Sequence, residues 1–258
     1  MPDSTIILSR SGEDSPDRRR FEAELLEHLV KLRAPKLLVI PSMYWLKDPS
    51  SALDALRAAR GNLILATWMQ PRATYWILRY HGIEGQISSQ HIDNKRVIKH
   101  AGRSVYCFNL ANFDSPETCA HALLEASGVQ RRRTVKTQVE SIDEELPSRW
   151  YPVIDDSLCR NCKQCLDFCL FGVYELDGGE RVRVTNPDSC KPGCPACARV
   201  CPAGAIMFPE YEAAPRIAGA TDVKPTSKSP RDQRESSPGD ELDELIDELD
   251  ELDEQESS

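Results

Sequence analysis

The sequence predicts an α/β domain with a parallel sheet, followed by a small cysteine-rich α+β domain and a disordered acidic tail. Short apolar runs alternate with amphipathic helical patterns over residues 1–128, an order typical of βαβ units with helices on both faces of a sheet. Eight of the ten cysteines then fall within residues 150–210. From Gly239 onward there are eleven acidic residues and no Lys or Arg.

The elements of the first domain follow from local patterns. Phe21, Leu25, Leu29 and Leu32 recur at spacings of four, four and three, which builds one apolar helix face. The predicted strands are Thr5–Ser9, Lys36–Ile40, Asn62–Thr67 and Ser104–Leu110, and the predicted helices are Arg18–Leu32, Ser51–Arg60, Ala73–His81 and Pro116–Ala126. The polar segment 82–103 is expected to be a long connection with one short strand at most.

Two segments lack the periodicity of a packed fold. Residues 129–149 are charged and predict a solvated linker, which includes Arg131–Arg133. Residues 211–258 are rich in Pro, Ser, Lys and Asp, a composition that favours disorder. Four leucines of the tail fall on an a/d spacing, so an acidic helix that forms on a basic partner is the alternative; they are Leu242, Leu245, Leu249 and Leu252.

Charge and hydropathy exclude several classes. The net charge is −9, but without the acidic tail 30 acidic residues face 32 basic ones, a balance that does not support nucleic-acid binding. The chain has neither the basic start and apolar run of a secretory signal nor an apolar stretch of about 20 residues that could span a bilayer. We therefore expect a cytoplasmic protein, in which a cysteine pattern indicates metal binding or catalysis more often than disulfides.

The cysteines form two groups of four. The spacing of the first, C-x2-C-x2-C-x3-C, is that of the bacterial iron–sulfur run, whose fourth cysteine ligates the other cluster. Three closely spaced thiolates can wrap three corners of a cubane within one loop, so the fourth ligand must come from elsewhere. The pattern predicts two [4Fe–4S] clusters: the first is held by Cys159, Cys162, Cys165 and Cys201, and the second by Cys190, Cys194, Cys197 and Cys169.

From Trp150 to Glu210 the chain resembles the two-cluster ferredoxins of bacterial type, both in these groups and in CPAGAI at Cys201–Ile206. The resemblance implies a pseudo-symmetric fold of two short helices and two hairpins around the clusters. The strands that fit it are Pro152–Ile154, Val173–Leu176, Val182–Thr185 and Ile206–Phe208, and Phe168, Phe171 and Tyr174 are expected to shield the clusters. Leu170 replaces the usual proline, and Lys191–Gly193 adds one residue, which a Pro-Gly turn can absorb.

Zinc is the alternative metal, since it also takes four thiolates. Zinc ribbons usually pair two separate C-x2-C knuckles. Here each of the two cysteine groups places three thiols in one loop. A cluster with four protein sulfurs has no open iron, so its expected task is the transfer of single electrons.

Cys107 and Cys119 lie within a predicted strand and a predicted helix, which favours buried apolar roles.

Aromatic residues follow the second and third strands, in PSMYW (Pro41–Trp45) and TWMQPR (Thr67–Arg72). One interpretation is a ligand pocket in which Arg72 and a helix start hold an anion. The favoured interpretation is that these rings fill the core or form the seam against the cysteine-rich domain. There is no G-x-G-x-x-G or Walker A sequence, and no catalytic constellation stands out.

Three functions remain in competition. The first is an electron carrier, rather than an enzyme, whose N-terminal domain docks onto an unidentified oxidoreductase as its redox partner. The second is an oxidoreductase whose N-terminal domain binds a flavin or small substrate. The third is a regulatory or structural iron–sulfur protein.

Overall fold

The computed structural model describes residues 4–88, 102–128 and 136–221. Six parallel strands form one sheet in the order β4-β5-β3-β1-β2-β6. They are β1 (Ser4–Ser9), β2 (Lys36–Ile40), β3 (Asn62–Thr67), β4 (Gln86–Ile87), β5 (Ser104–Asn109) and β6 (Gln138–Ser141). The parallel sheet confirms the α/β prediction for this part of the chain. The predicted disorder of residues 211–258 is wrong for residues 211–221, which are folded and contain a short helix at Pro215–Ala218. The predictions for Arg131–Arg133 and for the rest of the tail lie outside the described residues.

Four helices cover the two faces of this sheet: α1 (Pro16–Lys31), α2 (Ser51–Ala58), α3 (Pro71–Tyr80) and α4 (Pro116–Ser127). Helices α1 and α4 pack on one face, around Leu25 and Leu123, and α2 and α3 pack on the other, around Leu53 and Ile77. The hydroxyls of Ser15, Ser50 and Ser115 accept backbone N–H groups at the starts of α1, α2 and α4. The central strands β1, β2 and β3 are therefore buried on both faces.

The sheet contains one strand that lies inside the predicted linker. Residues 138–141 form β6, which pairs in parallel with β2 at the sheet edge, Lys36 opposite Gln138. Its side chains are exposed, so its sequence QVES carries little of the apolar alternation by which a strand is recognised. The short strand β4 lies in the segment where one short strand was expected.

The cysteine-rich segment folds into a smaller lobe, which we define as residues 150–220. In it β7 (Val153–Ile154) pairs with β10 (Ile206–Met207), and β8 (Tyr174–Leu176) pairs with β9 (Val182–Val184), both antiparallel. The helices are α5 (Gln164–Phe168), α6 (Ala196–Val200) and α7 (Pro215–Ala218). Two strand pairs and the short helices α5 and α6 agree with the arrangement that the resemblance implies, and each strand is slightly shorter than predicted.

The lobe and the sheet share a core and belong to one compact unit. Tyr151, Val153 and Met207 of the lobe pack with Ala73 and Ile77 of α3. The rings of Tyr44 and Tyr151 stack with centroids 4.5 Å apart, and the Tyr151 N–H donates to the Tyr44 hydroxyl over 2.8 Å. The aromatic residues after β2 thus form a seam, as the favoured interpretation predicted.

Arg72 lies in the same seam and has no room for an anion. Its Nε donates to an Asp155 carboxylate oxygen over 2.6 Å, and another guanidinium nitrogen donates to the Gly204 carbonyl over 2.8 Å. Both side chains are almost fully buried. The alternative of an anion site at Arg72 is therefore wrong, because its charge is neutralised inside the protein.

None of the helices within the described residues is long and apolar enough to cross a bilayer.

We expect Arg72→Ala to lower the free energy of unfolding by about 3–5 kcal/mol, because Asp155 would keep a buried charge without its partner. The control is Arg20→Ala on α1, which removes an exposed ion pair with Asp17 and should cost less than about 1 kcal/mol. Urea unfolding followed by circular dichroism measures both. Equal effects of the two substitutions would contradict the role of the buried pair.

Candidate metal centre

The two cysteine groups occupy equivalent positions in the lobe. In each group the first two cysteines lie in a loop, the third lies in a short helix, and the fourth caps that helix. The helix is α5 for Cys165 and Cys169, and α6 for Cys197 and Cys201. Cys162 is exposed, Cys197 is buried, and the other six are half-buried. Five of the eight predicted ligands pack in or against one apolar core of the lobe: Cys165, Cys169, Cys190, Cys197 and Cys201.

The electrostatic effects of thiols on one another's pKa indicate which cysteines are neighbours. Burial raises the pKa of Cys165 to about 12, and the nearby charges of Cys197, Cys159 and Cys201 add to the shift. The last two belong to the predicted first ligand set. All these thiols must lose a proton to bind a metal, so metal binding would release protons.

The second ligand set shows the same relation. Burial raises the pKa of Cys190 to about 12, with further contributions from Cys194 and Cys169. Burial also raises the pKa of Cys197 to about 12, and Cys190 and Cys169 are again among its neighbours. Cys169 is thus a neighbour of the later group, but Cys197 is likewise a neighbour of Cys165, so these contacts do not decide between ligand sets. The complete ligand assignment stays a prediction.

Left-handed backbone positions shape the cysteine loops. Asn161 and Lys163 have φ values of 53° and 62° between the first three cysteines, and asparagine tolerates this conformation better than most residues. The Asn161 side chain also binds the Val182 N–H and the Glu180 carbonyl, which fixes the loop to the β8–β9 hairpin. In the second loop, the Cys194 N–H donates to the Lys191 carbonyl, so a turn absorbs the extra residue there.

Hydrogen-bond donors lie against the sulfurs. The Ala205 N–H donates to Cys201 Sγ over 3.3 Å, and backbone N–H groups at Leu166 and Ala198 lower the pKa of Cys165 and Cys197 against the larger effect of burial. Such donors stabilise negative charge on metal-bound sulfur. This donor set fits a group that presents sulfur acceptors.

Tyr174 is a further donor that the cysteine pattern did not reveal. Its ring is 3% exposed, and its hydroxyl lies beside Cys197, whose pKa it lowers. Within the described residues this hydroxyl has no hydrogen-bond acceptor in a standard geometry. A buried hydroxyl without an acceptor is costly, so a sulfur of a bound group would satisfy it. Its position on β8 shields the site as expected.

The other two expected shields face solvent instead. Phe168 and Phe171 are 52% and 43% exposed, and Leu170 between them is 92% exposed. The expectation that these two phenylalanines shield the clusters is therefore not met. The three residues form an apolar surface beside Cys169, which we call the Leu170 surface.

The two remaining cysteines lie elsewhere, in the cores on either face of the large sheet. Cys107 on β5 and Cys119 on α4 are fully buried, and burial raises the pKa of both, that of Cys119 to about 12. Their prediction as small buried residues is confirmed. Across the part of the chain that the structure describes, no three His, Cys, Asp or Glu side chains converge closely enough for a single metal ion.

One known protein is similar to part of the chain. An uncharacterized ferredoxin of Methanocaldococcus jannaschii is 46% identical over 62 residues. The match covers 24% of this chain and 42% of that protein, so the chain matches less than half of the relative's length. No family model and no solved structure matches. The similarity supports the resemblance to ferredoxins over a segment of about this length.

Proposed function

We propose that this protein transfers single electrons through two [4Fe–4S] clusters bound by the eight cysteines of residues 159–201. The observation that carries the proposal is the grouping of these thiols in one lobe, in the spacing of an iron–sulfur protein. The similarity to a ferredoxin supports it. Bound clusters would supply reversible one-electron oxidation and reduction.

The proposed ligand assignment is the one that the spacing of the cysteines predicts. Cys201 joins Cys159, Cys162 and Cys165, and Cys169 joins Cys190, Cys194 and Cys197. The proximity of Cys201 to Cys165 and that of Cys169 to Cys190 agree with this exchange. With four protein sulfurs on each cluster, no iron is left open for a substrate, which favours a carrier over a cluster-based catalyst.

The redox partner is an oxidoreductase, and the Leu170 surface is the face through which it receives or delivers electrons. An exposed apolar patch marks an interaction site when it is contiguous, and this one adjoins Cys169. The α/β part, which the seam at Arg72 holds against the lobe, helps to dock the protein onto this partner. The proposed location is the cytoplasm, where thiols stay reduced and can bind clusters.

The direct test is anaerobic purification followed by iron and sulfide analysis and electron paramagnetic resonance of the reduced protein. Two cubanes correspond to about eight iron and eight sulfide per chain, and spin coupling between two reduced clusters should broaden the spectrum. Stoichiometric zinc, or about four iron per chain, would contradict the proposal.

The exchange of fourth ligands is tested by Cys169→Ser. We expect this change to impair the cluster held by Cys190, Cys194 and Cys197, because Cys169 is its fourth ligand. Site-resolved spectra of the reduced protein identify the damaged cluster. Cys119→Ser is the matched control, since this thiol lies on α4 in the sheet core, and it should leave the iron content unchanged. Damage to the cluster of Cys159 would reverse the assignment.

The Tyr174 hydroxyl should tune one cluster only. A hydrogen bond from this hydroxyl to sulfur stabilises the more negative reduced state, so Tyr174→Phe should lower the potential of the cluster held by Cys197. The expected shift follows from a hydrogen bond worth about 1 kcal/mol, which is roughly 40 mV for one electron. Redox titration measures it, with Tyr80→Phe as control. An equal shift of both clusters would contradict a local hydrogen bond.

A further inference from the structure

A cavity of about 230 Å³ lies at the carboxyl ends of the central strands of the large sheet. The loops that follow β1, β3 and β5 form its floor and sides. Six residues of segment 209–218, which follows β10 in the lobe, complete the lining. The cavity is therefore lined by both the sheet and the lobe, and Trp45 of the seam contacts it through Glu210.

The strand order explains why a crevice forms at this place. The chain runs from β1 outward to β2 and then crosses back to place β3 on the other side of β1. As a result β1 continues into α1 on one face of the sheet, whereas β3 continues into α3 on the opposite face. In open parallel sheets ligands bind at such a switch point.

Two buried polar side chains face the cavity with unused hydrogen-bonding groups. Asn109, 5% exposed, accepts the Ala111 N–H at Oδ1 over 3.0 Å, and its Nδ2 donates to no acceptor within the described residues. The hydroxyl of Ser42, also 5% exposed, has no hydrogen-bond partner there either. Both residues line the cavity. Asn109 can therefore donate a hydrogen bond to a ligand, and the Ser42 hydroxyl can donate or accept one.

A carboxyl group completes the polar lining. Glu210 lies on the rim and accepts a hydrogen bond from Trp45 Nε1 over 3.3 Å. Burial raises its pKa to about 7, so near neutral pH it can either accept or donate a proton in a hydrogen bond. Trp68 also lines the cavity, and the Arg18 guanidinium lies 5.1 Å from the centroid of its ring.

The charges of the lining disfavour a phosphate. Its two cations are already engaged: Arg10 pairs with Asp143, and Arg18 pairs with Glu13. The Ser11 N–H after β1, which could cradle an anion, donates to the Glu22 carboxylate over 2.7 Å. The lining therefore favours an uncharged group where a ligand contacts this cavity.

We propose that the cavity binds a planar heterocycle that carries a carbonyl group beside an N–H. The carbonyl accepts from Asn109 Nδ2, the N–H donates to the Glu210 carboxylate, and the ring packs beside Trp68. This chemistry is shared by the pyrimidine ring of a flavin and by the carboxamide of nicotinamide. The volume is below the roughly 300–1,000 Å³ of pockets for drug-sized ligands, so the cavity holds the ring and leaves any larger substituent outside.

The cavity lies close to the second cysteine group. Tyr211 lines it and packs edge-on against Trp150, with centroids 6.2 Å apart. The Trp150 Nε1–H in turn donates to the Cys194 carbonyl over 3.1 Å. The rings of Tyr211 and Trp150 thus lie between the proposed heterocycle and Cys194, which is a predicted ligand of the second cluster. The choice of a redox-active ring rests on the proposed function, whereas the binding site itself does not.

Isothermal titration calorimetry of the full chain, purified anaerobically, tests the site with riboflavin and with nicotinamide. One of the two should bind at one site per chain, and the one that binds identifies the source of the ring. Adding the phosphate of FMN should not strengthen riboflavin binding. Failure of both to bind at about millimolar concentration, or binding of FMN tenfold or more tighter than riboflavin, overturns the proposal.

Asn109→Asp tests the geometry. It keeps the oxygen that accepts the Ala111 N–H and replaces only the donor, so binding should weaken at least tenfold while the unfolding curve is retained. Asn112→Asp, an exposed neighbour outside the lining, adds the same charge and should leave affinity unchanged. If N109D folds and binds as tightly as the unmodified chain, the proposed contact is wrong.

Iron analysis of each preparation separates the two proposals. Full iron content without binding of either ring overturns the cavity proposal alone. Binding of a ring by protein that holds zinc, or no iron at all, overturns the electron-transfer proposal and leaves the ligand site standing.

Discussion

The buried ion pair between Arg72 and Asp155 is the interaction on which the rest of the structure depends. The same carboxylate accepts N–H groups from Ser157 and Leu158 at its other oxygen, and the Asp155 carbonyl accepts the Cys159 N–H. Arg72 also holds the Gly204 carbonyl, three residues after Cys201. One guanidinium on α3 therefore fixes the loop that starts the first cysteine group and the loop that follows the second.

This anchoring has a consequence for electron transfer. Because both cysteine loops are fastened to the large sheet, the sheet is part of the support of the cysteine site rather than a separate appendage. A rigid support limits the rearrangement that accompanies a change of charge. It also holds the segment after β10 near the carboxyl ends of β1 and β3, where that segment lines a cavity. The proposed carrier and the proposed ligand site thus share one framework.

Much of this fold could be predicted from local patterns. The central strands of the sheet are continuous apolar runs, since they are buried on both faces, and their predicted ranges agree with the structure to within one residue. Strand β6 was not predicted, because an exposed edge strand lacks the apolar residues by which a strand is recognised in the sequence. Phe168 and Phe171 were assigned as shields because aromatic rings are usually buried, but their helix end turns them to solvent beside Leu170.

The sequence alone determined the positions and spacing of the cysteines proposed as ligands, because thiols that share one metal group within a loop lie close together along the chain. It also determined the alternation of strands and helices, since that depends on local periodicity. Only the tertiary structure decided that Arg72 is neutralised by Asp155, that Tyr174 faces Cys197, and that Ser42 and Asn109 meet Glu210 around one cavity. These residues lie between 23 and 168 positions apart in the sequence. No local pattern encodes which distant partner a buried polar group meets.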